Sequence, residues 1–210
     1  MAMKTHTREA GSGLVAARDG RAERGERTRD AVVDALLLLL DDGFLRPSAR
    51  QISERAGVSL RTVFHHFDDL DALHSAASDR QIERLVALTK PLARTGPLAS
   101  RIDAFVAARA RLHEAIAPVR RAALLSEPFS PAIASRLRWV RVRGRREAER
   151  VFAIELDRRP VTDRRELLEA VTVVSSWSAW EALRAHQGLS MPQARRIMAR
   201  TVMALLKETE

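Results

Sequence analysis

The sequence has no cysteine and no tyrosine, three lysines beside 33 arginines, and no apolar run longer than the six residues from Ala35 to Leu40. Without cysteine there are neither disulfides nor thiolate metal sites. A run of six falls far short of the roughly 20 apolar residues that span a bilayer, so no membrane partner is expected. Met1 to Gly25 lacks the apolar core of a secretion signal, which makes the expected address cytoplasmic. Neither a phosphate-binding glycine loop nor a histidine set at metal-ligand spacing is present. With cysteine and tyrosine also missing, the reading is that the chain is no enzyme and holds no cofactor or metal. Strand alternation and internal repeats are likewise missing, which leaves an all-α chain.

What is present suits a globular protein of one or two domains: 210 residues, 46% apolar and 30% charged. Formal net charge is +9, a balance that favours polyanionic partners because neutralised phosphates release counterions. Arginine in preference to lysine is also what a GC-rich genome produces, although that bias does not explain the excess over acids. Residues 136–150 hold seven Arg and two Glu and carry much of that excess. They form either a second anion site or, since Leu137, Val140, Gly144 and Ala148 keep helical spacing, a helix with a solvated outer face.

The densest signal is Ser48 to Phe67, SARQISERAGVSLRTVFHHF. Ser48 with Gln51 forms a capping box that starts a helix, Ile52 and Ala56 make its inner side, and Gly57 permits a sharp turn. Ser59 caps a second helix whose inner residues are Val63 and Phe67. Leu60, Arg61, Thr62, His65 and His66 are left facing outward. This is the pattern of a helix-turn-helix with its second helix in the DNA major groove. Arg61 is the candidate for bidentate contact with guanine, His65 for a base or phosphate, and Leu60 for a thymine methyl.

Asp30 to Leu73, about a fifth of the chain, resembles the N-terminal domain of the TetR family of bacterial transcriptional regulators. The matching words are Gly43-Phe44 at the end of a first helix, then Ile52 to Ser59, Thr62 to Phe67, and Asp68 to Leu73 opening a fourth helix. The resemblance implies that Leu60, Arg61 and His65 reach bases, and that Arg50, Thr62, Phe64 and His66 lie near the phosphate backbone, with Ser59 as the cap among them. Two positions depart from the pattern. Phe64 stands where the family usually has Tyr, and Leu70 where it usually has Lys, so two phosphate donors are missing. The resemblance further implies a C-terminal helical domain with a small-molecule pocket and a homodimer interface, acting on a near-palindromic double-stranded DNA operator. A repressor released by a small-molecule effector is the expected function; the alternative is an effector-independent activator or architectural protein.

The expected organisation is a flexible tail over 1–25, a DNA-binding domain over 26–72, and an effector-binding and dimerisation domain over 73–210, with about nine helices in all. Arg18, Arg21 and Arg24 in the tail either reach a minor groove or belong to a disordered leader. Beyond Pro97, Ile102, Phe105, Val106 and Ile116 form an apolar stripe interrupted by Arg109 and His113. Either Arg109 or His113 binds a polar or anionic ligand group in a pocket, or the two mark an internal ion pair or an outward-leaning side chain. Phe105, Phe129, Trp139 and Trp177 are candidate walls of the same pocket. Pro118 is expected to end one helix and begin another. The last two helices, 163–186 and 191–207, present Val171, Val174, Trp180, Leu183, Ile197, Val202 and Leu205, an apolar set suited to a four-helix dimer interface.

Overall fold

A computed structural model describes the backbone of residues 10–88 and 90–207 and the side chains of 22–84, 86 and 90–207. Every regular element among them is helical, as expected: α1 (Ala10–Asp41), α2 (Ala49–Ala56), α3 (Leu60–His66), α4 (Leu70–Leu88), α5 (Leu98–Ser126), α6 (Pro131–Val151), α7 (Ala153–Asp157), α8 (Val161–Val174), α9 (Trp177–Glu181) with a π-helical turn over Ala182–His186, and α10 (Met191–Leu206). The chain divides into two compact units, Met1–Ala77 and Ser78–Glu210, and the division falls inside α4.

In the first unit, α1 buries Val32, Leu36 and Leu40 at helical spacing against Ile52 of α2, Val63 of α3 and Phe67. The Arg29 guanidinium lies over the Phe67 ring at 4.9 Å and covers the edge of this core. The tail reading is corrected over 10–25, where the backbone is already helical. Gly11, Gly13, Gly20 and Gly25 each cost about 1 kcal/mol in a helix, but extending an existing helix is far easier than nucleating one. Residues 1–9 and the side chains of Arg18 and Arg21 lie outside the described residues; Arg24 is exposed on α1.

The second unit is built around α5, which buries Ile102, Phe105, Val106, Ala110 and Ile116 against Phe152, Trp180, Met198 and Val202. Phe105 and Phe152 meet edge to face at 5.0 Å. Pro118 does not end α5. Proline removes one helical hydrogen bond and costs about 3 kcal/mol, and buried residues on both sides of it, Ile116 and Ala122, outweigh that cost by staying in register with the core. Gln81 Nε2 also donates to the carbonyl of Ala115 at 2.8 Å, beside the interruption. Two expected helices divide instead. Residues 132–157 bend at Phe152, and 163–186 break at Ser175-Ser176, where Ser175 Oγ donates to Val171 O at 2.7 Å and Ser176 Oγ accepts from Ala179 N.

A buried ion pair joins α5 to α7. Arg101 Nη1 donates to Glu155 at 2.9 Å and to Val151 O at 2.8 Å, its Nε donates to Gly96 O at 3.1 Å, and Nη2 binds the other Glu155 oxygen.

Candidate functional site

The first unit arranges the α2–α3 pair as the sequence requires. Ser48 and Gln51 form the capping box. Gly57 closes α2 in the left-handed region at φ +67°, with its N–H on Glu54 O and that of Val58 on Ser53 O. Ser59 Oγ accepts from Thr62 N at 3.0 Å and shares a 2.7 Å hydrogen bond with Thr62 Oγ1. Val63 and Phe67 are buried, which turns Leu60, Arg61, Phe64 and His65 outward to exposure. Thr62 and His66 are half-buried at the edge of this face, and the two imidazoles meet edge to face at 5.2 Å.

Charge on this face is unevenly available. Arg61 makes no ion pair among the described residues, so its exposed guanidinium is uncommitted. Arg50 pairs with Glu54 at 2.9 Å, both side chains being exposed. Arg55 pairs with Asp42 at 2.5 Å and ties α2 to the end of α1.

The second unit contains a cavity of about 120 Å³ between α5, α6 and the α8–α9 break. Arg109, His113 and Trp177 line it. Phe105 does not, being sealed in the core with the Arg109 guanidinium over its ring at 4.9 Å. Phe129 is 77% exposed and Trp139 49% exposed, and neither lines the cavity. Phe129 lies in the turn between α5 and α6, while Trp139 stands on the outer face of α6 beneath Arg143. Arg120 was not anticipated and does line it.

Arg109 is 8% exposed and Arg120 8%, while His113 is 4%. Arg109 Nη2 donates to Gly144 O at 2.6 Å and stands 3.6 Å from Glu147, but its buried Nε has no partner. Burial lowers its pKa, with Glu147 opposing. Gly144 is what lets the guanidinium approach, since a Cβ there would lie 3.1 Å from Nη1. Burial pulls Arg120 down to about 10, and neighbouring Arg141 adds to the effect. His113 Nε2 meets the carbonyl of Ser175 at 3.1 Å, so the proton belongs on Nε2 and buried Nδ1 is an acceptor without a donor. Burial pushes this histidine down to about 4. A second lobe of about 70 Å³, lined by Ile82, Ile133 and Leu137, shares Leu112, Ile116, Arg120 and Val140 with the first.

Among the residues expected at a dimer interface, Val171, Trp180 and Val202 are buried in the chain's own core and present nothing to a partner. Ile197 is 41% exposed, and Val174, Leu183 and Leu205 are half-buried. In the arginine-rich stretch, Arg136 pairs with Asp79, Arg141 with Glu127, Arg145 with Glu169, and Arg150 with Glu147. Those pairs favour the solvated-face reading over a second anion site.

The fold is shared with solved transcriptional regulators. A transcriptional regulator from Rhodococcus sp. Rha1 superposes with a TM-score of 0.64 at 20% identity, over 87% of this chain and 95% of that one. A TetR transcription regulator from Haloarcula marismortui ATCC 43049 gives 0.64 at 14% identity, over 85% and 98%. No family model matches the sequence, and no curated protein matches it either. No helix among the described residues is long and apolar enough to cross a membrane.

Proposed function

We propose that the chain is a TetR-type transcriptional regulator, a cytoplasmic homodimer that holds a near-palindromic DNA operator through α3 and leaves it when a small molecule occupies the α5 cavity. The observation that carries the reading is the outward face of α3. Burial of Val63 and Phe67 behind the Gly57 turn leaves Leu60, Arg61 and His65 exposed together, on a chain whose net charge is +9. Ser59 supports this face as the cap of α3. Arg50, Thr62, Phe64 and His66 flank it in positions suited to phosphates, although Phe64 brings no donor. The fold's occurrence in transcriptional regulators supports a binding protein over an enzyme.

Release follows from population shift. A ligand that fits the second unit in one conformation of the dimer better than in another changes the spacing of the two recognition helices. That spacing must be about 34–36 Å for two half-sites one helical turn apart. The chain passes from one unit to the other within α4, so a change in that helix is the direct covalent route.

The test is binding of the protein to fragments of its own upstream region against a scrambled fragment, across a salt series. Sequence-dependent binding that Arg61→Ala weakens by about 1–3 kcal/mol per half-site is expected, with preference relaxed at one base pair in each. Binding that ignores sequence and collapses with salt would replace this reading with an architectural one.

A further inference from the structure

The 120 Å³ cavity has a one-sided polar chemistry. Its lining includes four arginines, one histidine, three serines and one threonine, and no carboxylate. Arg120 makes no hydrogen bond or ion pair among the described residues, and Arg109 keeps a buried Nε–H with no acceptor. The buried Arg109 Nε–H is costly unless something accepts from it. Arg141 and Arg145 are already paired with Glu127 and Glu169, and Arg109 stands 3.6 Å from Glu147, so the capacity for an anion rests on Arg120 and on Arg109 Nε, which a cation or a neutral hydrocarbon would leave unanswered. His113 adds the complementary need, because its buried Nδ1 requires a donor.

We infer that this cavity binds a small organic acid, its carboxyl group held by Arg109 and Arg120 beside His113 and its apolar body in the adjoining lobe. The inference rests on the effector role proposed above and names the class of effector. One carboxylate oxygen accepts from Arg109 Nε–H, and binding takes up one proton from solvent, which the other oxygen holds and donates to His113 Nδ1. Arg120 lines both lobes, so it stands where the charged end of a ligand gives way to its apolar end. The larger lobe, about 120 Å³, approaches the roughly 150 Å³ that admits a single ring, and the smaller, about 70 Å³, suits a short alkyl chain or the edge of a ring, which points to a small aryl or short alkyl acid.

Isothermal titration calorimetry of the full chain tests this with benzoate, phenylacetate and 3-phenylpropionate, beside phenylacetamide, phenethylamine and inorganic phosphate. At least one of the three acids is expected to bind at least tenfold more tightly than the amide, the amine and phosphate. Arg109→Gln and Arg120→Gln should each weaken that acid tenfold or more while circular dichroism and a single unfolding transition show the fold retained. If Arg109→Gln does not fold, Gly144→Ala takes its place by crowding the Arg109 guanidinium. No binding by any of the three acids, equal binding of the amide or amine, or full affinity in the folded variants overturns the inference. Sequence-specific DNA binding is measured in parallel without ligand. DNA binding with no affinity for acids overturns the inference alone, and affinity for acids without DNA binding overturns the regulator reading alone.

Discussion

At position 113 burial disfavours the charged imidazole and outweighs the hydrogen bond from Nε2 to Ser175 O, which favours it, while Arg109 and Arg120 on the same helix repel a second proton. Glu114 opposes this weakly. The folded value is near 4 against an unfolded 6.5, so the unfolded chain takes up a proton first. The stabilisation is therefore complete above pH 6.5, falls as pH drops toward 4, and amounts to roughly 3 kcal/mol in all. His74, also pushed down by burial with Asp71 opposing, acts in the same direction, and Glu114 and Glu127, held low by Arg184 and Arg141, lose their share only at more acid pH. Urea midpoints of wild type and His113→Gln at pH 7.5 and pH 5 isolate the contribution. The wild type should lose markedly more stability between the two, and equal losses would sink the idea. Arg109 and His113 were legible because they interrupt an apolar stripe, whose period says which side chains turn inward. Phe129 and Trp139 were chosen by residue type alone, and residue type carries no direction. Arg120 continues the stripe of Arg109, His113 and Ile116, but reading Pro118 as a helix end cut the stripe before reaching it.

The Arg101–Glu155 pair joins the first turn of a 29-residue helix to a five-residue one, and α7 has no side-chain cap of its own. Removing one partner leaves a charge buried without compensation, so Glu155→Ala should destabilise the fold by about 3–5 kcal/mol, whereas Arg101→Met with Glu155→Leu should be nearly neutral. Chemical denaturation checks both, and a loss below about 1 kcal/mol for the single variant would mean that water reaches Arg101. The sequence pointed to neither partner, because residues 54 positions apart in the chain show no periodic relation. Elements defined by local chemistry are readable: Ser48 with Gln51, Gly57 and Ser59 all cap where their side chains require. Interruptions set by packing are not. Phe152 and Ser175 sit within unbroken helical spacing, and the chain bends there because burial of Phe152, and the return of Ser175 Oγ to the preceding turn, outweigh continuation of the helix.

The molecule as a whole must present two recognition helices at once if it is to read a palindrome, so the assembly state decides whether the regulator reading holds. Val171, Trp180 and Val202 fill the core of the second unit, so in the proposed homodimer the outer faces of α8 and α10 are the ones left to meet a second copy. There Val173 is exposed on α8 and Ile197 on α10, two helices that pack on each other within the chain. A twofold contact repeats both residues, doubling the apolar area each contributes. A stable interface buries about 800 Å² per partner and does not tolerate uncompensated charge at its centre. Sedimentation velocity should therefore give a species of twice the 23.5 kDa chain mass for wild type. Val173→Glu with Ile197→Glu should give a folded monomer, since neither side chain supports the core. The monomer should bind a single half-site but lose at least about 100-fold in affinity for the full operator, because the second half-site is no longer engaged intramolecularly. A wild-type monomer with full operator affinity would remove the palindrome from the proposal. A doubly charged variant that remains dimeric would move the interface to another face, and the first to examine is the exposed Trp139 and Val142 edge of α6.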